Sequence, residues 1–170
     1  MKFLSCYLFA LVLLAVLCFG RIAADDKKDE PLKLSKEEQA LLDLINQGRE
    51  KEKLPALKPH PLLFKAARAH SENMAKQGKL SHNLEDKNVK DRTMAAGYKS
   101  TLVAETIGAG RKLTPQGTYN GWMNSRLHKE IMLDKLAEDA GIGIARDAKG
   151  EVYYTLVVGA EQKEPKKSPE

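Results

Sequence analysis

Cysteine is almost missing from this chain, and the places where it does occur decide what can hold the protein together. The 170 residues include two cysteines, Cys6 and Cys18, both within the first 24. There Lys2 precedes an apolar run from Phe3 to Phe19, and Ile22, Ala23 and Ala24 lead into the charged segment "DDKKDE". This is the pattern of a secretory signal peptide, residues 1–24, with small residues placed for cleavage before Asp25. The run is short for a spanning helix, although an uncleaved anchor is the alternative reading. Leu17 is too bulky for the small residue that lipid attachment at Cys18 would need. The expected product is secreted, extracellular or periplasmic, with no stable membrane anchor after cleavage. It carries no thiol, so no disulfide can brace it in an oxidising compartment. Stability must come from a core, and 170 residues less the leader's 24 leave enough chain for one ordinary domain.

A surplus of one charge is also lacking. Lys and Arg number 28 against 23 Asp and Glu, and removing Lys2 and Arg21 takes the formal charge from +5 to +3. With the two signs interspersed there is no basic stripe for phosphate backbones, which excludes nucleic acid as the expected partner. Internal repeats are absent too, and with them a solenoid architecture.

What is present reads as one domain over 35–159, between a charged linker at 25–34 and a disordered charged tail at 160–170. "SKEE" opens it as a capping box, Ser35 at the N-cap and Glu38 at N3, and Leu41, Leu42, Leu44 and Ile45 give the first helix an apolar face. A second helix starts near His60 and Pro61 and ends at Gly78, with Leu63, Ala66, Ala67, His70 and Met74 on one stripe. On that stripe His70 reads as a core histidine satisfied by nearby backbone. A short third helix covers Lys87 to Ala96. "STLVAETIGAG" reads as a short strand entering a glycine loop, and Thr114 with Pro115 starts a fourth helix through Trp122 and Ser125. Gly117 and Gly121 each cost that helix about 1 kcal/mol, and their shared face implies close backbone packing there. "AGIGIARDAKGEVYYTLVVG" is a hairpin turning at Asp147 to Gly150. The acidic residues from Glu85 to Asp91 alternate with lysines, as a solvated surface does.

The ordered motifs "LSH", "AAGY", "AETIGAG", "TPQGTYNGWMNSRLH", "GIGIA" and "YYTLVVG" together resemble a bacterial secreted CAP (SCP) domain, of the superfamily of cysteine-rich secretory proteins, antigen 5 and plant pathogenesis-related proteins. The resemblance spans Leu41 to Gly159. It implies an α+β fold, a three-layer α-β-α sandwich, and a shallow cleft whose matching positions are His82, Glu105 and His128, with Ser125 beside them. It also implies an extracellular ligand: a small molecule, lipid, cell-envelope component or peptide. The match departs from the family pattern at Ala104 and Thr106 around Glu105, at Arg126 and Leu127 before His128, and at Leu156, where many relatives carry glutamine.

Two imidazoles and a carboxylate can hold a zinc ion, run acid–base chemistry, or simply hydrogen-bond one another. The metal reading takes His82 and His128 as ligands of zinc, with Glu105 as ligand or base of a hydrolase or protease. The nucleophilic reading pairs Ser125 with His128, without a Gly-x-Ser-x-Gly elbow to support it. The catalytic candidates are therefore Glu105, His128 and Ser125, with a non-catalytic envelope interaction module as a third reading. Trp122 is read as packing.

Overall fold

A computed structural model describes residues 31–162. The leader at 1–24 and most of the tail fall outside the described residues. Helix α1 (Lys36–Lys51) begins at the expected capping box, in which the Ser35 hydroxyl accepts from Glu38 N and the Glu38 carboxylate accepts from Ser35 N. It is followed by β1 (Lys58–Pro59), α2 (Pro61–Gln77), α3 (Val89–Ala96), β2 (Ser100–Arg111), α4 (Pro115–Met123), α5 (Arg126–Met132), β3 (Asp139–Arg146) and β4 (Glu151–Glu161). Gly78 and Gly97 close α2 and α3 in the left-handed conformation that glycine adopts without penalty. Asn88 caps α3, so that helix starts two residues later than its sequence pattern implies.

The sheet has strand order β1-β3-β4-β2. β3 and β4 form the expected antiparallel hairpin, β2 runs antiparallel to β4, and β1 runs parallel to β3. Alternation along the strands sorts side chains onto two faces. Leu156, Val158, Tyr154 and Ile142 point into the main core with Leu41, Ile45, Trp122 and Met132, under α1, α4 and α5. Val157 meets Leu63 and Ala67 of α2 on the opposite face, and Ile107 and Tyr153 meet Met74 there. Helices thus cover both faces of one sheet in a three-layer α-β-α sandwich, an α+β fold.

Several local expectations are corrected. β2 runs twelve residues through Gly108 and Gly110, so "STLVAETIGAG" is one strand with no glycine loop. β4 continues through Ala160 and Glu161, which pair with Leu102 and Ser100 rather than beginning a tail. Leu32 and Leu34 pack on the main core rather than lying in a solvated linker. The fourth helix stops at Met123, and Ser125 opens a separate α5. Close backbone packing also lies elsewhere. A Cβ on Gly121 would meet nothing within 4 Å, whereas one on Gly141 or Gly143 would sit 2.1 Å from the α2 backbone at Leu63 or Ala67. The two glycines of β3 are what lets α2 lie directly on the sheet.

One buried cation fixes the helix that will carry His128. Arg49, at the end of α1 and fully buried, donates to the carbonyls of Pro55, Met132, Asp134 and Ala137. These contacts tie the C-terminal end of α5 and the loop leading to β3 onto α1.

Candidate functional site

Glu105 lies on β2, the edge strand, with its side chain on the α2/α3 face and only 2% exposed. A carboxylate buried this far must be paired, and three elements supply partners. His82, in the loop after α2, donates from Nδ1 to Glu105 Oε1 at 2.9 Å. Arg92 of α3 donates from its guanidinium to Glu105 Oε2. The same guanidinium donates to the backbone carbonyls of His82 (2.9 Å) and Lys87 (2.8 Å). One arginine therefore holds the strand, the histidine loop and the loop leading into α3 together.

His70 is the third neighbour. Its ring is fully buried, and Nε2 donates to Ser81 O at 3.0 Å while lying 3.8 Å from Glu105 Oε1. Burial holds its pKa below the usual histidine value, and the Glu105 charge only partly offsets this. The expected core histidine is indeed in the core, but its backbone satisfaction is half complete: Nδ1 has no partner among the described residues.

His128 belongs to the other helical layer. It sits on α5, half-buried, and its pKa is lowered by burial and then by the positive charge that His82 can carry. The structure joins His82 to Glu105 directly, whereas His128 makes no hydrogen bond or ion pair to either among the described residues and is near enough only to feel the His82 charge. His82 is 54% exposed, so Nδ1 faces Glu105 while Nε2 is turned toward solvent. Ser125 is the N-cap of α5, yet its hydroxyl makes no capping bond and no bond to His128. Trp122 packs as expected and also pins α4 to the sheet, with Nε1 donating to Ile107 O at 3.1 Å.

Leu156 does not border the cleft. It is fully buried in the main core, directly across from Thr106, whose Oγ1 is buried without a partner among the described residues. Two departures from the family pattern are therefore cross-strand neighbours on the face opposite Glu105. Sequence reasoning missed Arg92, which directly follows the alternating charges from Glu85 to Asp91 assigned to surface, and separated His70 from the site. The available signal for Arg92 was its place four residues after Asn88, on the buried side of a capped helix.

Among the described residues no group of three or more His, Cys, Asp or Glu side chains could hold a metal ion. Both oxygens of Glu105 are already engaged, which leaves two imidazoles, His82 and His128, and no third donor. This set does not fit a resident zinc, which takes at least three protein ligands in catalytic sites.

Two helical layers cover one sheet, and one exposed histidine, His82, is backed by a buried glutamate on the edge strand. The chain belongs to the Cysteine-rich secretory protein family (CAP), whose sequence profile matches residues 42–158. YkwD of Bacillus subtilis (strain 168) is 29% identical over 130 residues, 76% of this chain and 49% of that protein, so the chain spans about half the length of this curated relative. Two solved structures share the fold. An outer surface protein from Borrelia burgdorferi superposes with a TM-score of 0.71 at 18% identity, over 77% of this chain and 97% of that one. An extracellular protein containing a SCP domain from Bacillus anthracis str. Ames gives 0.67 at 24% identity, over 78% and 45%. No helix among the described residues is long and apolar enough to cross a membrane.

Proposed function

We propose that this chain is exported and that the cleft between His82 and His128 binds an extracellular ligand, a lipid, cell-envelope component or peptide, without chemically altering it. The observation that carries this reading is the engagement of both Glu105 oxygens. A carboxylate held by Arg92 on one oxygen and His82 on the other orients an imidazole, and at 2% exposed it does not itself face solvent. What faces the ligand is then the His82 Nε2 edge, His128 and the Ser125 hydroxyl, a set of hydrogen-bonding groups with apolar Leu127 exposed alongside. Export is supported by the leader pattern and by the relatives described as outer surface and extracellular proteins. The metal-assisted hydrolase reading has two imidazoles in its favour and lacks a third ligand. The serine reading lacks a Ser125–His128 hydrogen bond.

Calorimetric titration of the purified chain with soluble peptidoglycan fragments, phospholipid vesicles and an unstructured peptide tests this. One of the three should bind to wild type and not to a His82→Ala, His128→Ala double variant. Zinc-dependent hydrolysis of any of them, lost in the same variant, would replace the binding reading with the hydrolase.

A further inference from the structure

The segment that carries His82 is fastened at few points. Between Ser81, whose carbonyl accepts from His70 Nε2 at 3.0 Å, and Asn88, which caps α3, residues 82–87 belong to no helix or extended strand. Of these only Leu84 is buried, against Met74, Ile107 and Tyr153. The His82 ring bonds Glu105, and Arg92 donates to the carbonyls of His82 and Lys87, the two ends of the segment. Leu84, Glu85 and Lys87 also border a cavity of about 360 Å³ between α2 and α3, whose other walls are largely alanine. The segment therefore spans a gap between two helices instead of resting on a filled core.

Within it the chain reverses at a tight turn that its residues fit poorly. Lys87 N donates to Leu84 O at 3.1 Å across Glu85 and Asp86, whose φ angles are 53° and 56°. Two consecutive left-handed residues make a type I′ turn, which favours Asn-Gly because a side chain there crowds the following carbonyl. Glu85 and Asp86 are both exposed, and neither side chain has a hydrogen bond or ion pair among the described residues to offset that strain. Strain of this kind persists where neighbouring contacts hold it. On either side of this turn those contacts are the two carbonyl bonds of Arg92.

We propose that residues 82–87 are a flap that opens as a unit, with the Glu85–Asp86 turn as its spring and Arg92 as its catch. Opening frees the two carbonyls and takes His82 away from Glu105. Relaxation of the turn offsets part of what those bonds supplied, so the flap opens far more often than the domain unfolds. The inference concerns how His82 is presented and does not depend on what the cleft binds.

The test is native-state amide hydrogen exchange on the full chain labelled with nitrogen-15. It is read at Asn83 and Lys87, whose amides are hydrogen-bonded on either side of the turn, and at Val157 in the middle of the sheet. Scaled to their unstructured rates, Asn83 and Lys87 should exchange at least about a hundredfold faster than Val157, and without the urea dependence of a globally unfolding amide. A Glu85→Asn, Asp86→Gly double variant suits the turn and should slow both by about tenfold, the equivalent of relieving one crowded left-handed residue. Arg92→Lys keeps a cation beside Glu105 but cannot also reach two carbonyls, and should speed both by about tenfold while Val157 stays protected. Exchange at Asn83 and Lys87 that follows Val157 in rate and urea slope, or no protection of either in wild type, would overturn the proposal. So would a turn variant that slows neither, a change confined to one of the two amides, or an Arg92→Lys protein that exchanges like wild type.

Discussion

Two buried glutamates, each gripped by an arginine, do different jobs in this molecule. Glu38 sits at N3 of α1, where Arg68 of α2 holds both its oxygens at 2.7 Å. Burial alone would raise its pKa, but the Arg68 and Ser35 hydrogen bonds outweigh that and hold it below the usual value. Every partner of Glu38 is either permanently charged or a backbone or hydroxyl group. Glu105 has an arginine on one oxygen only, and its other oxygen accepts from His82, an imidazole half open to solvent. The first arrangement is a clamp between helices. The second has a clamp on its inner side and a solvent-exposed imidazole on its outer side, so the two carboxylates differ in the partner they share with solvent.

The sharpest way to break the comparison is to remove the arginines in turn. Arg92 is 11% exposed and Arg68 is 36% exposed, so their glutamates are left in different surroundings. Arg92→Ala strands Glu105 beside buried His70 and should cost about 3 kcal/mol, lowering Tm by roughly 10 °C. Arg68→Ala leaves Glu38 near solvent, with its Ser35 bonds intact, and should cost about 1–2 kcal/mol. Thermal melts of the two variants decide the order; equal losses would mean that the Glu105 assembly is no more deeply committed than a helix clamp.

Acid separates the two regions by another route. His70 and His128 both have pKa values lowered in the folded protein, chiefly by burial. The unfolded chain therefore takes up protons first, and stability should fall as pH drops through about 6.5, the ordinary histidine value. Glu38 works in the opposite sense: with its pKa depressed, its contribution is complete above its ordinary value of 4.5 and is lost only below it. Urea midpoints measured from pH 8 to pH 4 should show a decline beginning near 6.5 and a second one near 4.5. A flat profile down to pH 5 would remove the buried-histidine account.

The same contrast explains what was legible in the sequence. Elements whose order depends on local rules were readable: Ser35 and Glu38 as a capping box, Pro61 and Gly78 bounding α2, and the hairpin around Gly150. The positions of His82, Glu105 and His128 came from ordered motifs, since residues so far apart share no periodicity. Arg92 was hidden because it directly follows an alternating run of charges, and such a neighbourhood looks solvated until tertiary contact buries part of it. The glycines misled for a related reason. Gly117 and Gly121 lie on one face of a helix, yet the close approach occurs at Gly141 and Gly143, where α2 crosses β3, and which helix crosses which strand is not a local property. The break between α4 and α5 was missed because Asn124 and Ser125 carry no strong stop signal.

The smallest effect on stability should accompany the largest effect on binding. His82 is 54% exposed and makes one side-chain hydrogen bond, to Glu105. Its backbone carbonyl, which Arg92 holds, survives any side-chain change. His82→Ala should therefore cost under about 1 kcal/mol, in the range of partly exposed ion pairs, because Arg92 still neutralises Glu105. The variant nonetheless loses the imidazole that Glu105 orients toward solvent, so whichever of the peptidoglycan, vesicle or peptide probes binds wild type should bind it at least tenfold more weakly. His82→Gln, which keeps a hydrogen-bonding group at the same place, should recover part of the affinity if the ring acts as a hydrogen-bonding partner. Melting and calorimetry on the same two samples read both quantities. A His82→Ala protein that melts several degrees lower yet binds like wild type would reverse the assignment, making His82 part of the inner clamp and leaving the cleft without its outward-facing group.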